Sequence, residues 1–339
     1  MEQPIQPWTF GEMFERVFRL LGRTFTRNSL IGFLVLLPGA LLLVFSLSSF
    51  AGALSDVIRD LDPSATPSDD EVLSMFWSML TPLFGTLILL FVAVTLYAIG
   101  SLLASLAMAR VSASTLEGIH VEWSEALGAV AGVVLLRGLG QSLLLACLIV
   151  GILIGPYILL FLGIDALVLA GVFGIVGAIP VIIWLSIRWQ FAQIVIAVEE
   201  DTVLHSFQRS AYLVREWWWR TFGITIGFAI VAGIAVQIIM MPLGLVGMFA
   251  FSASFADVFV SSNMGDTPSP EAIVSVIRTI GIAYIAFITL ASIASQMFAS
   301  NYLVVMYYDL RARKGEFASP LREGPPQQGL ADNTIMSLD

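Results

Sequence analysis

Six stretches without a charged side chain divide the sequence, at 28–55, 72–109, 138–164, 166–187, 221–256 and 279–308. Each reaches or exceeds the roughly 20 apolar residues needed to cross a ~30 Å hydrocarbon core. In lipid such a segment has to be helical, because only a helix satisfies every backbone N–H and C=O within the segment. The third and fourth stretches are separated by Asp165 alone. A single helix from Gly138 to Ile187 would run about 75 Å, more than twice the membrane. A tight hairpin at Gly163-Ile164-Asp165 is therefore predicted. The pattern gives an all-α, polytopic membrane protein with transmembrane helices at about 29–53, 81–109, 138–162, 166–188, 222–249 and 279–306.

The segments before the spans have a different period. Phe10, Met13, Phe14, Val17, Phe18, Leu21 and Phe25 fall on one helical face, with Glu12, Arg16, Arg19, Arg23 and Arg27 on the other. Thr9 and Glu12 form a T-x-x-E capping box at the start. An apolar face opposite an arginine face predicts an amphipathic helix over 9–27 lying in the membrane interface. A second such helix is predicted over 202–219, with His205, Arg209, Glu216 and Arg220 on its polar face and Val203, Phe207, Ala211, Val214 and Trp218 opposite. Glu216 and Arg220 have the spacing of a helical ion pair, and Trp217, Trp218 and Trp219 suit the headgroup level. Phe14, Arg16, Leu20, Leu21, Phe25 and Arg27 match Phe207, Arg209, Leu213, Val214, Trp218 and Arg220 at equal spacing. A weaker third copy precedes the third span, with Ser124 as its cap, so the chain reads as three units of interfacial helix plus hairpin.

Composition agrees: 58% of residues are hydrophobic and 12% charged, against about 25% charged in soluble domains. Of the 16 Lys and Arg, only Arg59 and Arg278 fall opposite the side that holds both termini. By the positive-inside rule the termini are expected in the cytoplasm of a bacterial cell, with acidic loops 56–71 and 257–271 outside. A net charge of −9 argues against nucleic acid as a partner. The single cysteine, Cys147, lies within the third span and excludes a disulfide framework. No cleavable signal is expected at the amino terminus. The Pro- and Gln-rich tail over 318–339 is expected to be disordered, leaving 1–317 as the membrane domain.

The stretch "RWQFAQIVIAVEEDTVLHSFQRSAYLVREWWWRTFG" at 188–223 and "YYDLRARKGEF" at 307–317 resemble segments of the glycerophosphoryl diester phosphodiesterase membrane domain family and related bacterial multi-pass proteins. The shared features are an acidic residue ending one span, an Arg-Ser pair in the following helix, a Trp-Arg entry to the next span, and a closing Tyr-Asp-x-Arg. The resemblance implies a role for Glu199, Arg209, Ser210, Trp219, Arg220, Tyr308, Asp309 and Arg311. Some members carry a catalytic domain that this chain has no room for after its sixth span, so the phosphodiesterase activity is not implied.

Candidate chemistry is sparse. The spans hold essentially no ionisable residue away from their ends, where function in a membrane usually leaves one. His120 and His205 are isolated, no hydrolase or phosphate-loop motif occurs, and no cofactor or metal is expected. Gly151/Gly155 and Gly223/Gly227 form G-x-x-x-G pairs, and Gly171, Gly174 and Gly177 step along the fourth span. Gln141, Gln237, Gln296 and Asn301 can bond between helices, and Pro38, Pro180 and Pro242 are expected to kink theirs. The rim charges have two readings. In one, Asp309 or Glu199 pairs with Arg209 or Arg220 and ties the last span to the preceding helix. In the other, Arg16, Arg27, Arg209 and Arg220 gather anionic headgroups. The expected function is a non-enzymatic accessory or scaffold protein that interacts with membrane lipids and other membrane proteins. The alternative is a transporter or flippase for a lipid or small amphiphile, with an intramembrane enzyme third.

Overall fold

The computed structural model describes residues 7–60, 69–161, 165–263 and 269–317. Among these the chain forms nine helices: α1 (Phe10–Asp60), α2 (Asp69–Leu116), α3 (Trp123–Val130), α4 (Val133–Phe161), α5 (Asp165–Trp189), α6 (Ala192–Glu199), α7 (Val203–Val214), α8 (Trp218–Asn263) and α9 (Pro270–Arg313). Six helical stretches are long and apolar enough to cross a membrane, in the six predicted places. The protein is thus an all-α, multi-pass membrane protein. Gly163 and Ile164 of the predicted hairpin turn, the middles of the two acidic loops and the tail over 318–339 lie outside the described residues.

The predicted helix over 9–27 is not a separate element. The capping box forms as expected, with Thr9 N–H donating to Glu12 Oε2 at 2.8 Å and Glu12 N–H reaching Thr9 Oγ1 at 3.4 Å. From there α1 runs unbroken for 51 residues. One buried stripe, Met13, Val17, Leu20, Thr24, Asn28 and Ile31, passes without interruption from the arginine-bearing turns into the span. Continuous packing on one side keeps the helix unbroken through the Arg27-Asn28-Ser29 step. Phe10, Phe18 and Phe25, expected to share the apolar face with Met13 and Val17, stay exposed beside that stripe.

The second copy behaves differently. The helix predicted over 202–219 ends at Val214, and Arg215–Trp217 form a turn before α8 starts at Trp218. Its inward face carries Ser206, Ser210, Leu213 and Val214; of the predicted stripe Val214 is buried, while Val203, Phe207, Ala211 and Trp218 are half-buried. Even so, Ser206, Ser210, Leu213, Thr221 and Ile224 are buried at the positions equivalent to Met13, Val17, Leu20, Asn28 and Ile31. Glu216 lies in the turn, where residue i+4 is no longer one helical step away; it pairs with Lys314 at 2.9 Å instead of with Arg220. In the third copy α3 is capped at Glu122 without a side-chain bond, and Ser124 sits inside the helix.

The unpredicted element is α6. Gln190 and Phe191 break the helix after α5, and "AQIVIAVE" continues as a short helix with Ala192, Ile194, Val195, Ile196 and Ala197 buried. A helix apolar on all sides has to be wrapped by others, and α6 packs against α2, α4, α7 and α9.

Buried residues concentrate at the end of the molecule that holds the charges. Toward the other end fewer residues are buried, and the most apolar window of α4 contains none. The hairpins α1–α2, α4–α5 and α8–α9 are each closely paired, with α1 also packed along α9. Glycines tighten particular crossings, although not at the predicted pairs. A Cβ on Gly171 would lie 2.8 Å from the Pro156 carbonyl oxygen, whereas Gly151, Gly155 and Gly223 face open space. Of the predicted interhelical amides, Gln296 donates to Ser101 Oγ at 2.9 Å and Asn301 Oδ1 accepts from Thr24 at 3.2 Å. Gln141 is buried with its Oε1 unpartnered, and Gln237 is exposed.

Candidate functional site at the charged end

The charged end is organised around Asp309, whose side chain is fully buried near the end of α9. Its carboxylate accepts from Arg220 Nη1 at 2.6 Å, from Arg313 Nε at 2.9 Å and from the Trp8 backbone N–H at 2.8 Å. The same two arginines donate to the Trp8 carbonyl, at 3.0 Å and 2.8 Å. One residue just before α1 is therefore held through both its backbone N–H and its carbonyl, by α8 and α9 together. Trp8 is itself buried, and the Arg16 guanidinium lies 4.4 Å from its ring centroid. A buried carboxylate is costly unless its lone pairs are matched by charge and by hydrogen bonds, and this one meets both conditions.

A second cluster follows from the way α9 ends. Gly315 has φ +76°, a left-handed conformation that glycine adopts without strain. This turns the chain back, so that Glu316 N–H bonds the Arg311 carbonyl and Phe317 stacks on Tyr308. The Glu316 carboxylate then accepts from Arg311 Nε and Arg209 Nη2, both at 2.7 Å. Arg209 also reaches Glu199 at 3.3 Å, and Glu199 accepts from the Tyr307 hydroxyl. The Tyr308 hydroxyl donates to Glu117 at the end of α2. Burial works against the charge on Arg209, but its bonds to Glu316 and Glu199 outweigh that and raise its pKa above the ordinary arginine value. Burial likewise opposes the Glu316 carboxylate, while Arg209 and Arg311 overcome it and hold its pKa below the usual glutamate value.

A third cluster joins α2, α4 and the end of α6. Arg110 donates to Glu200 Oε1 at 2.8 Å, and Arg137 donates to the Glu200 carbonyl. Glu200 caps α6 with φ 54°, so the two arginines stabilise a backbone conformation that a glutamate seldom adopts. Ser210 repairs the break between α5 and α6: its hydroxyl donates to the Arg188 carbonyl at 2.9 Å and accepts from Phe191 N–H at 3.2 Å. Both are helix-end groups that the interrupted ladder leaves unpaired.

Every sequence-derived site residue lies at this end, in separate contacts. Arg220 and Asp309 pair, Arg209 pairs with Glu199, and Ser210, Tyr308 and Arg311 join helix ends. Arg27 lies apart, donating to the Val121 carbonyl at 2.9 Å and Thr115 Oγ1 at 3.1 Å. Trp219 is exposed, while Trp217 lies under the Arg313 guanidinium at 5.0 Å. Sequence reasoning missed Trp8, Arg110, Glu117, Glu200, Arg313 and Glu316. His205 pairs with Asp201 one turn away, and no group of three metal-ligating side chains occurs among the described residues.

Four cavities adjoin the helices near this end, the smallest, about 100 Å³, lined by Arg16, Arg19 and Arg23 of α1 and Thr115 and Leu116 of α2. A groove of about 610 Å³ lies between α4, α5 and α7, one of about 360 Å³ lies between α8 and α9, and a small one of about 200 Å³ lies beneath the α7–α8 turn. Fold and site together define a class, a multi-pass helical membrane protein whose hairpins are clasped at the charged end. The chain matches no family model, no curated protein and no solved structure.

Proposed function

We propose that the protein is a non-catalytic accessory or scaffold protein of a bacterial cytoplasmic membrane that binds anionic lipid at its charged, cytoplasmic end. The observation that carries this reading is the division of labour among the charges. Glu117, Glu199, Glu200, Asp309 and Glu316 all serve to join helices, whereas Arg188 and Arg215 line a cavity at this end with no carboxylate partner among the described residues. Each basic residue near an anionic leaflet contributes about 1 kcal/mol of attraction.

Native mass spectrometry of the protein extracted in mild detergent tests the reading. Retained lipids enriched in anionic headgroups, alone or with partner membrane proteins, are expected. A bound lipid pool with the composition of the bulk membrane would overturn it. A second reading, transport of a lipid or small amphiphile, draws on the cavity between α8 and α9, where Gln190, Thr225 and Tyr302 add polar groups to an apolar wall. Accelerated movement of a labelled lipid between leaflets of reconstituted vesicles would favour it.

A further inference from the structure

We infer that the groove between α4, α5 and α7, together with the small cavity beside it, forms one binding site for an anionic membrane phospholipid. The inference rests on the lipid-binding reading above and gives it a place and a chemistry. The groove is built for hydrocarbon: Leu144, Leu145 and Leu148 of α4 face Trp184 of α5 and Leu204 and Phe207 of α7. At about 610 Å³ it falls within the roughly 300–1,000 Å³ range of ligand sites, and it is open along one side. The second cavity, about 200 Å³, shares Trp184, Arg188 and Ala211 with the groove and adds Val214, Arg215 and Trp218. An apolar chamber and a basic chamber thus meet at one arginine.

The small cavity is suited to an anion by what its lining lacks. Guanidinium and indole groups donate hydrogen bonds and accept none, so none of its lining side chains offers an acceptor. Neither Arg188 nor Arg215 has a carboxylate partner among the described residues, in contrast to Arg209, Arg220, Arg311 and Arg313 nearby. Arg188 stands at the end of a membrane-spanning helix, 4.8 Å from the Trp184 ring centroid. A cation at that depth needs a counter-charge or a route to water. A phosphodiester headgroup supplies the charge, with one acyl chain in the groove below α7 and the other in bulk lipid. Phe207 is fixed by an edge contact with Trp189 at 5.1 Å, so α7 forms a firm roof over the chain.

The test uses the full-length protein in nanodiscs, with phosphatidylglycerol competing against phosphatidylcholine. In wild type, phosphatidylglycerol is retained preferentially, and a photoreactive group on its acyl chain labels 144–148 and 184–211. The Arg188→Gln/Arg215→Gln double variant is expected to lose roughly thirtyfold in that preference, the scale set by two basic residues at an anionic surface. A preference left intact in this variant but lost in Arg16→Gln/Arg23→Gln would overturn the site while leaving the lipid reading standing. No preference in wild type would remove both. If the double variant does not fold, labelling in wild type decides: label outside those two segments overturns the proposal.

Discussion

Residues 13–31 and 206–224 bury the same positions in two different ways. In α1 the stripe from Met13 to Ile31 lies on one continuous helix; in the second copy it crosses the three-residue turn between α7 and α8. Both leave an orphan at the same point, the Asn28 amide and the Thr221 hydroxyl, each buried without a protein partner. The difference lies in what the polar turns hold. The unbroken copy projects its first turns beside Trp8, and the clasp at Asp309 grips them from outside. The broken copy releases α7 from the axis of α8, which lets Ser210 reach the α5–α6 junction and Arg209 reach the end of α9. A shared burial pattern thus fixes where each segment packs, and the turn decides what it reaches.

The strongest way to break this comparison is to remove the clasp that holds the start of α1 but does not touch α7. Asp309→Asn keeps the volume and leaves Arg220 and Arg313 without their counter-charge. A loss of about 3 kcal/mol is expected, at the lower end for a buried pair because both arginines are partly exposed. Unfolding in mixed micelles should show it, with α1 losing hydrogen-exchange protection before α7 does. Unchanged stability would show that the clasp does not hold α1.

Exchanging the matched residues is the next test. Ser210→Val strands the Arg188 carbonyl and the Phe191 N–H, which should reduce stability by about 1–3 kcal/mol and expose the Phe191 amide to exchange. The reciprocal Val17→Ser meets no broken helix, and its hydroxyl can bond the carbonyl one turn back, so α1 should keep its amide protection. Equal exchange behaviour in the two variants would contradict the role given to the turn.

The helix starts differ on a smaller scale. Thr9→Ala removes half of a capping box and should destabilise by about 1 kcal/mol. Thr202→Ala should have little effect, because the Thr202 side chain makes no capping bond. Parallel thermal melts would distinguish them.

The smallest effect is expected from acid. The pKa of Glu316 is lower in the folded protein than its ordinary value of 4.5. Its contribution is therefore complete above that value and disappears as pH falls through the folded one. Solvent screening keeps the change under about 1 kcal/mol. Acidification below 4.5 should loosen α7 from the end of α9, measured by hydrogen exchange of the α7 amides, and Glu316→Gln should weaken the pH dependence.

How far the sequence revealed these features depended on their range. The spans and the Thr9–Glu12 box are written in neighbouring residues, and both are found where the pattern places them. The link between Arg220 and Asp309 could be anticipated, because an acid and a base at the ends of two spans have few other partners. Trp8 could not, since its contribution is a peptide group, and every residue has one. The turn at 215–217 was hidden because apolar periodicity continues through it, and that concealed the loss of the Glu216–Arg220 pair. Arg188 concealed α6, because a charge after 22 neutral residues reads as the end of a span. The G-x-x-x-G spacings misled at Gly151 and Gly155 because small residues allow close approach without requiring it.

The bond between Trp8 and Asp309 spans 301 residues, and this sets an order of events during synthesis. At about 5–20 residues per second, Trp8 leaves the ribosome roughly 15–60 s before its partner exists. Through that interval the first helix sits in the bilayer without its latch, and five further spans are inserted around it. Assembly therefore finishes from the carboxyl side. Only the last turns of α9 supply Asp309, and a chain interrupted before it lacks the carboxylate that closes the clasp on Trp8.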